Sequence, residues 1–162
     1  MSTEITALGE REILALAISL EAEDIRIYTD LAEKIRDRFP RLASVLESMR
    51  AEESSHHDRL HAFYLNRFGS HIPYLRRQDV KGFVRRRPLW LQATVSPRQI
   101  LSFVMSMEAE IRRYYQSAAN QADSEDVRTL LNDLAGEEED HADLLVTEVK
   151  ASRESSKAKL KE

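Results

Sequence analysis

Apolar residues recur along most of this chain at alternating steps of three and four, the rhythm of a helix that buries one face. Four segments keep it. The first spans roughly 9–38, with Leu14, Ala17, Tyr28, Leu31 and Ile35 on one stripe, and Pro40 closes the short turn after it. The second spans roughly 41–67, striped by Leu42, Leu46, Met49, Leu60 and Phe63, with Gly69 as a stop signal. A third begins with Ser96 as N-cap and Pro97 in its first turn, and carries Leu101, Val104, Ile111, Tyr115 and Ala118. After a polar break at Asp123-Ser124 the fourth spans roughly 124–152, with Val127, Leu131, Leu134 and Leu145. Short turns join helices one to two and three to four, so each pair reads as an antiparallel hairpin. Residues 68–96 are too long for a turn and predict a long crossover between the hairpins, with a short helix near 77–84. The expected architecture is an all-α antiparallel four-helix bundle over residues 1–150, followed by a polar, frayed tail or linker at 151–162.

The stripes are interrupted in an unusual way. The three-four rhythm lands on Glu21 in helix one and on Glu108 in helix three. It lands on Glu53 and then His56 in helix two, and on Glu138 and then His141 in helix four. Each helix thus puts an acid near the middle of its buried face. A carboxylate stripped of water costs several kcal/mol, and four together also repel. No Lys or Arg falls on the stripes beside them. Two divalent cations would match the four carboxylates, and neutral imidazoles would fill further coordination positions. The Glu-x-x-His spacing serves this, because residues three apart share one helix face. Tyr28 follows Glu21 by seven residues and Tyr115 follows Glu108 by seven, so the chain reads as two related hairpins, each supplying half of a site.

Composition narrows the alternatives. There is no cysteine, which excludes disulfides, zinc ribbons, iron–sulfur ligation and thiol catalysis. Charged residues are 32% of the chain against four glycines and four prolines, the balance of long helices with solvated outer faces. A net charge of -4 argues against nucleic acid as partner. The N-terminus lacks a secretion signal and no apolar run is long enough to span a bilayer, so a soluble, cytoplasmic protein is the expectation.

The set Glu21, Glu53-x-x-His56, Glu108 and Glu138-x-x-His141 resembles that of the ferritin, bacterioferritin and rubrerythrin superfamily over about residues 10–150. The resemblance implies a ferritin-like bundle with two iron ions per chain, Mn or Zn being substitutes. Glu53 and Glu138 would bridge the metals, while Glu21 with His56 and Glu108 with His141 would cap one each. Ser54 stands where bacterioferritin has its haem-ligating methionine, so no haem is expected, and rubrerythrin's Cys-x-x-Cys module is absent. Further runs are similar to the N-terminal, rubrerythrin-like domain of bacterial membrane-bound ferritins, which that family fuses to a vacuolar-iron-transporter-like membrane domain. They are Glu10-Arg11-Glu12-Ile13-Leu14-Ala15-Leu16-Ala17, Met49-Arg50-Ala51-Glu52-Glu53, His71-Ile72-Pro73 and Gly82-Phe83-Val84-Arg85-Arg86-Arg87-Pro88-Leu89-Trp90. That likeness implies a role in iron export and in protection against iron and peroxide. It also implies a parent protein at the cytoplasmic face of the inner membrane, with 151–162 leading toward a membrane portion.

Other polar residues have more ordinary expectations. Glu23, Glu52, Glu110, Glu137 and Glu139 read as solvated helix faces, whereas Asp24 falls on the stripe and reads as an acceptor behind the ligands or a port for metal. Tyr28 and Tyr115 read as core residues whose hydroxyls bond ligand carboxylates or a ligand histidine. His57 and His61 read as surface residues and His71 as structural. Arg76, Arg77, Lys81, Arg85, Arg86 and Arg87 make the crossover basic, with only Asp79 to offset them. This reads as a solvated loop pinned by Trp90, the sharper alternative being contact with anionic lipid or a transporter domain.

Three functions follow as expectations. The first is a ferroxidase or peroxidase-type oxidoreductase that binds Fe(II) and oxidises it with O2 or H2O2, in iron homeostasis and detoxification. The second is a non-catalytic Fe or Mn module that loads or regulates a membrane iron transporter. The third is a structural dimerisation domain. A homodimer is the expected assembly, from the resemblance and from a crossover long enough to exchange between chains.

Overall fold

The computed structural model describes residues 3–83 and 85–159, without the side chains of 152 and 155–159. Four long helices dominate: α1 (Glu10–Ile35), α2 (Pro40–Phe68), α3 (Pro97–Gln121) and α4 (Glu125–Lys159). No strand forms among the described residues; one isolated bridge joins Thr3 to Val80. α1 packs along α2 and α3 along α4, and the short turns between them make each pair an antiparallel hairpin.

The helix ends follow local chemistry. Ser96 accepts from the Gln99 backbone N–H while the Gln99 side chain accepts from the Ser96 N–H, a capping box that fixes the start of α3. Pro40 occupies the first turn of α2, and Gly69 ends that helix at φ 86, a left-handed conformation that other residues avoid. α4 continues helical to Lys159, past the expected end near 152, so the polar segment prolongs the helix at least to that residue.

The crossover differs more from expectation. Instead of a helix at 77–84 it holds two single 3-10 turns, Arg77–Asp79 and Leu89–Leu91; Val84 lies outside the described residues. Gly82 at φ 100 and Pro88 punctuate this stretch, and neither suits a continuous helix. The segment is nonetheless tied down. The backbone N–H of Thr3 donates to Asp79 and that of Lys81 to Thr3. Tyr64 donates to the His71 carbonyl at 2.7 Å, and Trp90 packs against Phe103.

The apolar core is in two parts. One end joins Leu14, Leu16, Leu60, Ile111, Ala118, Leu131 and Leu134; the other joins Leu31, Leu46, Met49, Ile100, Val104 and Leu145. Glu21, Glu53, His56, Glu108, Glu138 and His141, all buried, form a polar belt at mid-bundle. Leu42 and Phe63, expected on the stripe of α2, are half-buried, and their neighbours Ala43 and Tyr64 are buried instead. Among the described residues no helix is long and apolar enough to cross a membrane.

Candidate metal centre

Each long helix contributes to the belt from its middle turns, which side-chain direction on a helix aims at the bundle axis. Two overlapping groups result: Glu21, Glu53, His56 and Glu138 form one, and Glu53, Glu108, Glu138 and His141 form the other. Within each, one ligand atom per residue lies within 4.8 Å of all the rest. Glu53 and Glu138 are common to both. The structure therefore brings all six residues singled out from the sequence to one place, as two adjoining half-sites related by the hairpin repeat.

Hydrogen bonds orient the outer carboxylates. The Tyr115 hydroxyl on α3 donates to Glu21 Oε1 on α1, and the Tyr28 hydroxyl on α1 donates to Glu108 Oε1 on α3. Each tyrosine thus serves the opposite hairpin. Glu21 Oε2 and Glu108 Oε2 stay buried without a hydrogen-bond partner, as do both oxygens of Glu53 and of Glu138. The two imidazoles stack, with ring centroids 5.5 Å apart. His56 Nδ1 lies 3.0 Å from Glu138 Oε1 and 3.4 Å from Glu53 Oε2, and His141 Nδ1 lies 3.4 Å from Glu53, Glu108 and Glu138. Neither Nδ1 has a hydrogen-bond partner.

So many buried acceptors without partners in one small volume is rare in a folded core. They are anionic oxygens and imidazole nitrogens, the donor set of a divalent transition-metal pair, and the geometry fits such ions. The outward nitrogens fit too: His56 Nε2 is 3.7 Å from Glu137 Oε2, and His141 Nε2 is 3.6 Å from Glu52 Oε2. Both separations are beyond hydrogen-bond distance, but a carboxylate on that side favours the ring tautomer that leaves Nδ1 free for a metal. Glu52 and Glu137, expected to be merely solvated, are 56% and 42% exposed yet sit behind the histidines, each one residue before a central glutamate of the opposite hairpin.

Without an ion, burial makes the cluster hold protons. It pushes Glu21 well above the usual carboxylate range, and neighbouring Glu53 adds to the effect. Burial likewise raises Glu53, and carries Glu138 up to about 8 against the opposing pull of His141 and His56. At Glu108 burial also acts upward, but His141, Glu138 and Tyr28 outweigh it and hold this acid below its ordinary value. Burial disfavours charge on His56, yet Glu138, Glu21 and Glu53 win and push it up to about 12; His141 is raised the same way. Metal ions would displace these protons.

A second buried group adjoins the first. Asp24 is buried and accepts from Arg86 Nη1 at 2.5 Å. Arg86 also meets Glu23 at 3.3 Å and Glu110 at 3.5 Å, while Arg77 meets Glu23 at 3.2 Å and pairs with Glu110. Burial still dominates at Asp24 and pushes it up to about 7, with Arg86 opposing. The crossover is therefore not simply a solvated loop: Arg77 and Arg86 point into the bundle, and Glu110 is buried rather than exposed. An aperiodic loop gives no sequence signal for which arginine turns inward. The available clue was Asp24, a stripe acid lacking a partner, beside a segment rich in cations. His57 stacks on His61 and lies 3.4 Å from Asp58, outside the ligand groups, and His71 is exposed.

The rubrerythrin family profile matches residues 12–149, a span holding all six residues of the belt. The chain belongs to the rubrerythrin family. Two solved structures have the same fold. A hypothetical protein from Pyrococcus furiosus is 21% identical with a TM-score of 0.70, covering 90% of this chain and 91% of that one. An uncharacterised conserved protein from Magnetospirillum magnetotacticum is 23% identical with a TM-score of 0.73, covering 87% and 93%. No curated protein matches. This rubrerythrin-family chain thus has a ferritin-like four-helix bundle of the di-iron carboxylate kind, with buried Glu and His groups able to hold metal.

Proposed function

We propose that this chain binds two iron ions in the mid-bundle belt and oxidises Fe(II) with O2 or H2O2. The observation that carries the reading is the convergence of four buried carboxylates and two imidazole Nδ1 atoms, most of their oxygens and nitrogens without partners, in two groups that share Glu53 and Glu138. A bound iron pair supplies two electrons to the oxidant, one from each Fe(II). The chain's own part is to position and to insulate. Glu53 and Glu138 span the half-sites, Glu21 with His56 closes one, and Glu108 with His141 closes the other. Tyr115 and Tyr28 keep one oxygen of Glu21 and of Glu108 engaged, so the second, buried without a partner, would be the one to hold a metal. Glu137 and Glu52 lie 3.7 and 3.6 Å behind the histidines, where their charge favours a proton on the outward nitrogen. The apolar ends of the core keep bulk water from the belt.

A role in iron homeostasis, and in export by a fused membrane transporter domain, is proposed from the sequence runs similar to membrane-bound ferritins. Stopped-flow mixing of anaerobic Fe(II)-loaded protein with O2 or H2O2 tests the chemistry. Oxidation well above the buffer rate is expected. A rate equal to buffer, with tight and reversible Fe(II) binding, would leave the loading module as the reading instead.

A further inference from the structure

Between the crossover and α3 lies a cavity of about 750 Å³ whose wall carries Arg85, Arg86, Arg87, Arg98 and Arg113 against one acid, Glu110. Glu110 is already engaged by Arg77 and Arg86, so it offers the others little compensation. Arg85, Arg87, Arg98 and Arg113 are exposed, and none meets a carboxylate among the described residues. Elsewhere among the described residues Arg36, Arg41, Arg59, Arg67 and Arg76 each pair with one, while Arg26, Arg50 and Arg112 do not; what sets this place apart is that four such side chains gather around one concavity. Four uncompensated guanidiniums collected around one concavity, in a chain of net charge -4, form a local field of the opposite sign.

The shape adds to the charge. Arg98 and Arg113 stand on the same face of α3, about 22 Å apart along the helix at 1.5 Å per residue. Small side chains, Ser102, Ser106 and Ala109, leave room between them, and Arg85 and Arg87 face this floor from the crossover. We propose that this cavity binds phosphate groups, several at a time, as in a phosphoanhydride chain or a row of phospholipid headgroups. The guanidinium fork matches phosphate oxygens in bidentate fashion, and charges spread along the groove suit a ligand with charges spread along its length. The site is separate from the metal belt, and Arg86 reaches from the cavity wall only as far as Asp24, three residues beyond Glu21.

Calorimetric titration of the full chain with tripolyphosphate tests this, alongside co-sedimentation with phosphatidylglycerol vesicles and with phosphatidylcholine vesicles. Arg98→Gln/Arg113→Gln should weaken binding by about tenfold or more, since each lost contact is a charge-assisted one. Arg26→Gln/Arg50→Gln, which removes the same charge outside the cavity, should change it by less than about twofold. Neither pair of positions is buried, so folding is not at issue. All proteins are matched for metal content, which keeps iron chelation by the probe equal. Tripolyphosphate binding with this pattern assigns the cavity to a soluble anion. Binding only to phosphatidylglycerol vesicles, with the same pattern, assigns it to headgroups. No binding of either by the wild-type chain, or equal losses in the two double variants, overturns the proposal whatever the metal belt does.

Discussion

Glu23, Asp24 and Glu110 lie within three residues of Glu21 and Glu108 on the same two helices, yet the two groups of acids meet opposite surroundings. The first group faces the crossover, which delivers Arg77 and Arg86 into the bundle at 2.5–3.5 Å. The second group faces the bundle axis with Glu53 and Glu138, where among the described residues no Arg or Lys reaches it. The protein thus neutralises one set of acids, with Asp24 and Glu110 buried, by its own cations and leaves the other to protons or to ions from outside. The contrast separates a salt-bridge cluster from a candidate binding site, which burial alone does not do.

The largest effect is expected at the shared glutamates, Glu53 and Glu138. Glu53→Gln/Glu138→Gln removes two charges without changing shape, so iron content should fall to background while the metal-free chain melts at an equal or higher temperature. A lower melting point with iron retained would mean that these acids serve the fold. The Arg86→Met variant should do the reverse. It leaves Asp24 and its neighbours without their main cation, destabilising the chain by about 3 kcal/mol in denaturant titrations. Its iron content should stay unchanged. Adding Asp24→Asn should recover part of that loss, because the acid left without a partner is then gone.

A smaller effect is expected at the tyrosines. Tyr28→Phe and Tyr115→Phe each remove one hydrogen bond to an outer carboxylate, so each should weaken Fe(II) binding by about tenfold, and by similar factors given their equivalent places. Unequal losses would show that the two half-sites are not functionally alike. Acidity acts on the same quantity. Because Glu21, Glu53, Glu138 and His56 all hold protons more tightly than usual in the ion-free chain, Fe(II) affinity should fall as pH falls, with protons released on binding.

What could be read from the sequence divides along the same line as the two clusters. The four helices and the meeting of Glu21, Glu53, His56, Glu108, Glu138 and His141 follow from periodicity, because a helix fixes which residues share a face. Tyr28 and Tyr115 were legible for the same reason, each two turns from a ligand position on the same stripe. The crossover has no period, so the basic run 76–87 predicted neither the inward turn of Arg77 and Arg86 nor the two short 3-10 turns in place of a helix. The positions of Glu52 and Glu137 behind the histidines depend on the stagger between hairpins, a three-dimensional quantity that spacing along one helix does not contain.

The proposed function requires that the acids on the bundle axis serve ions the chain itself does not supply. Anaerobic Fe(II) titration of metal-free wild-type protein, followed by calorimetry and elemental analysis, tests it most directly. Saturation at two ions per chain with release of protons is expected. Heat no greater than dilution, and no iron retained after desalting, would contradict it.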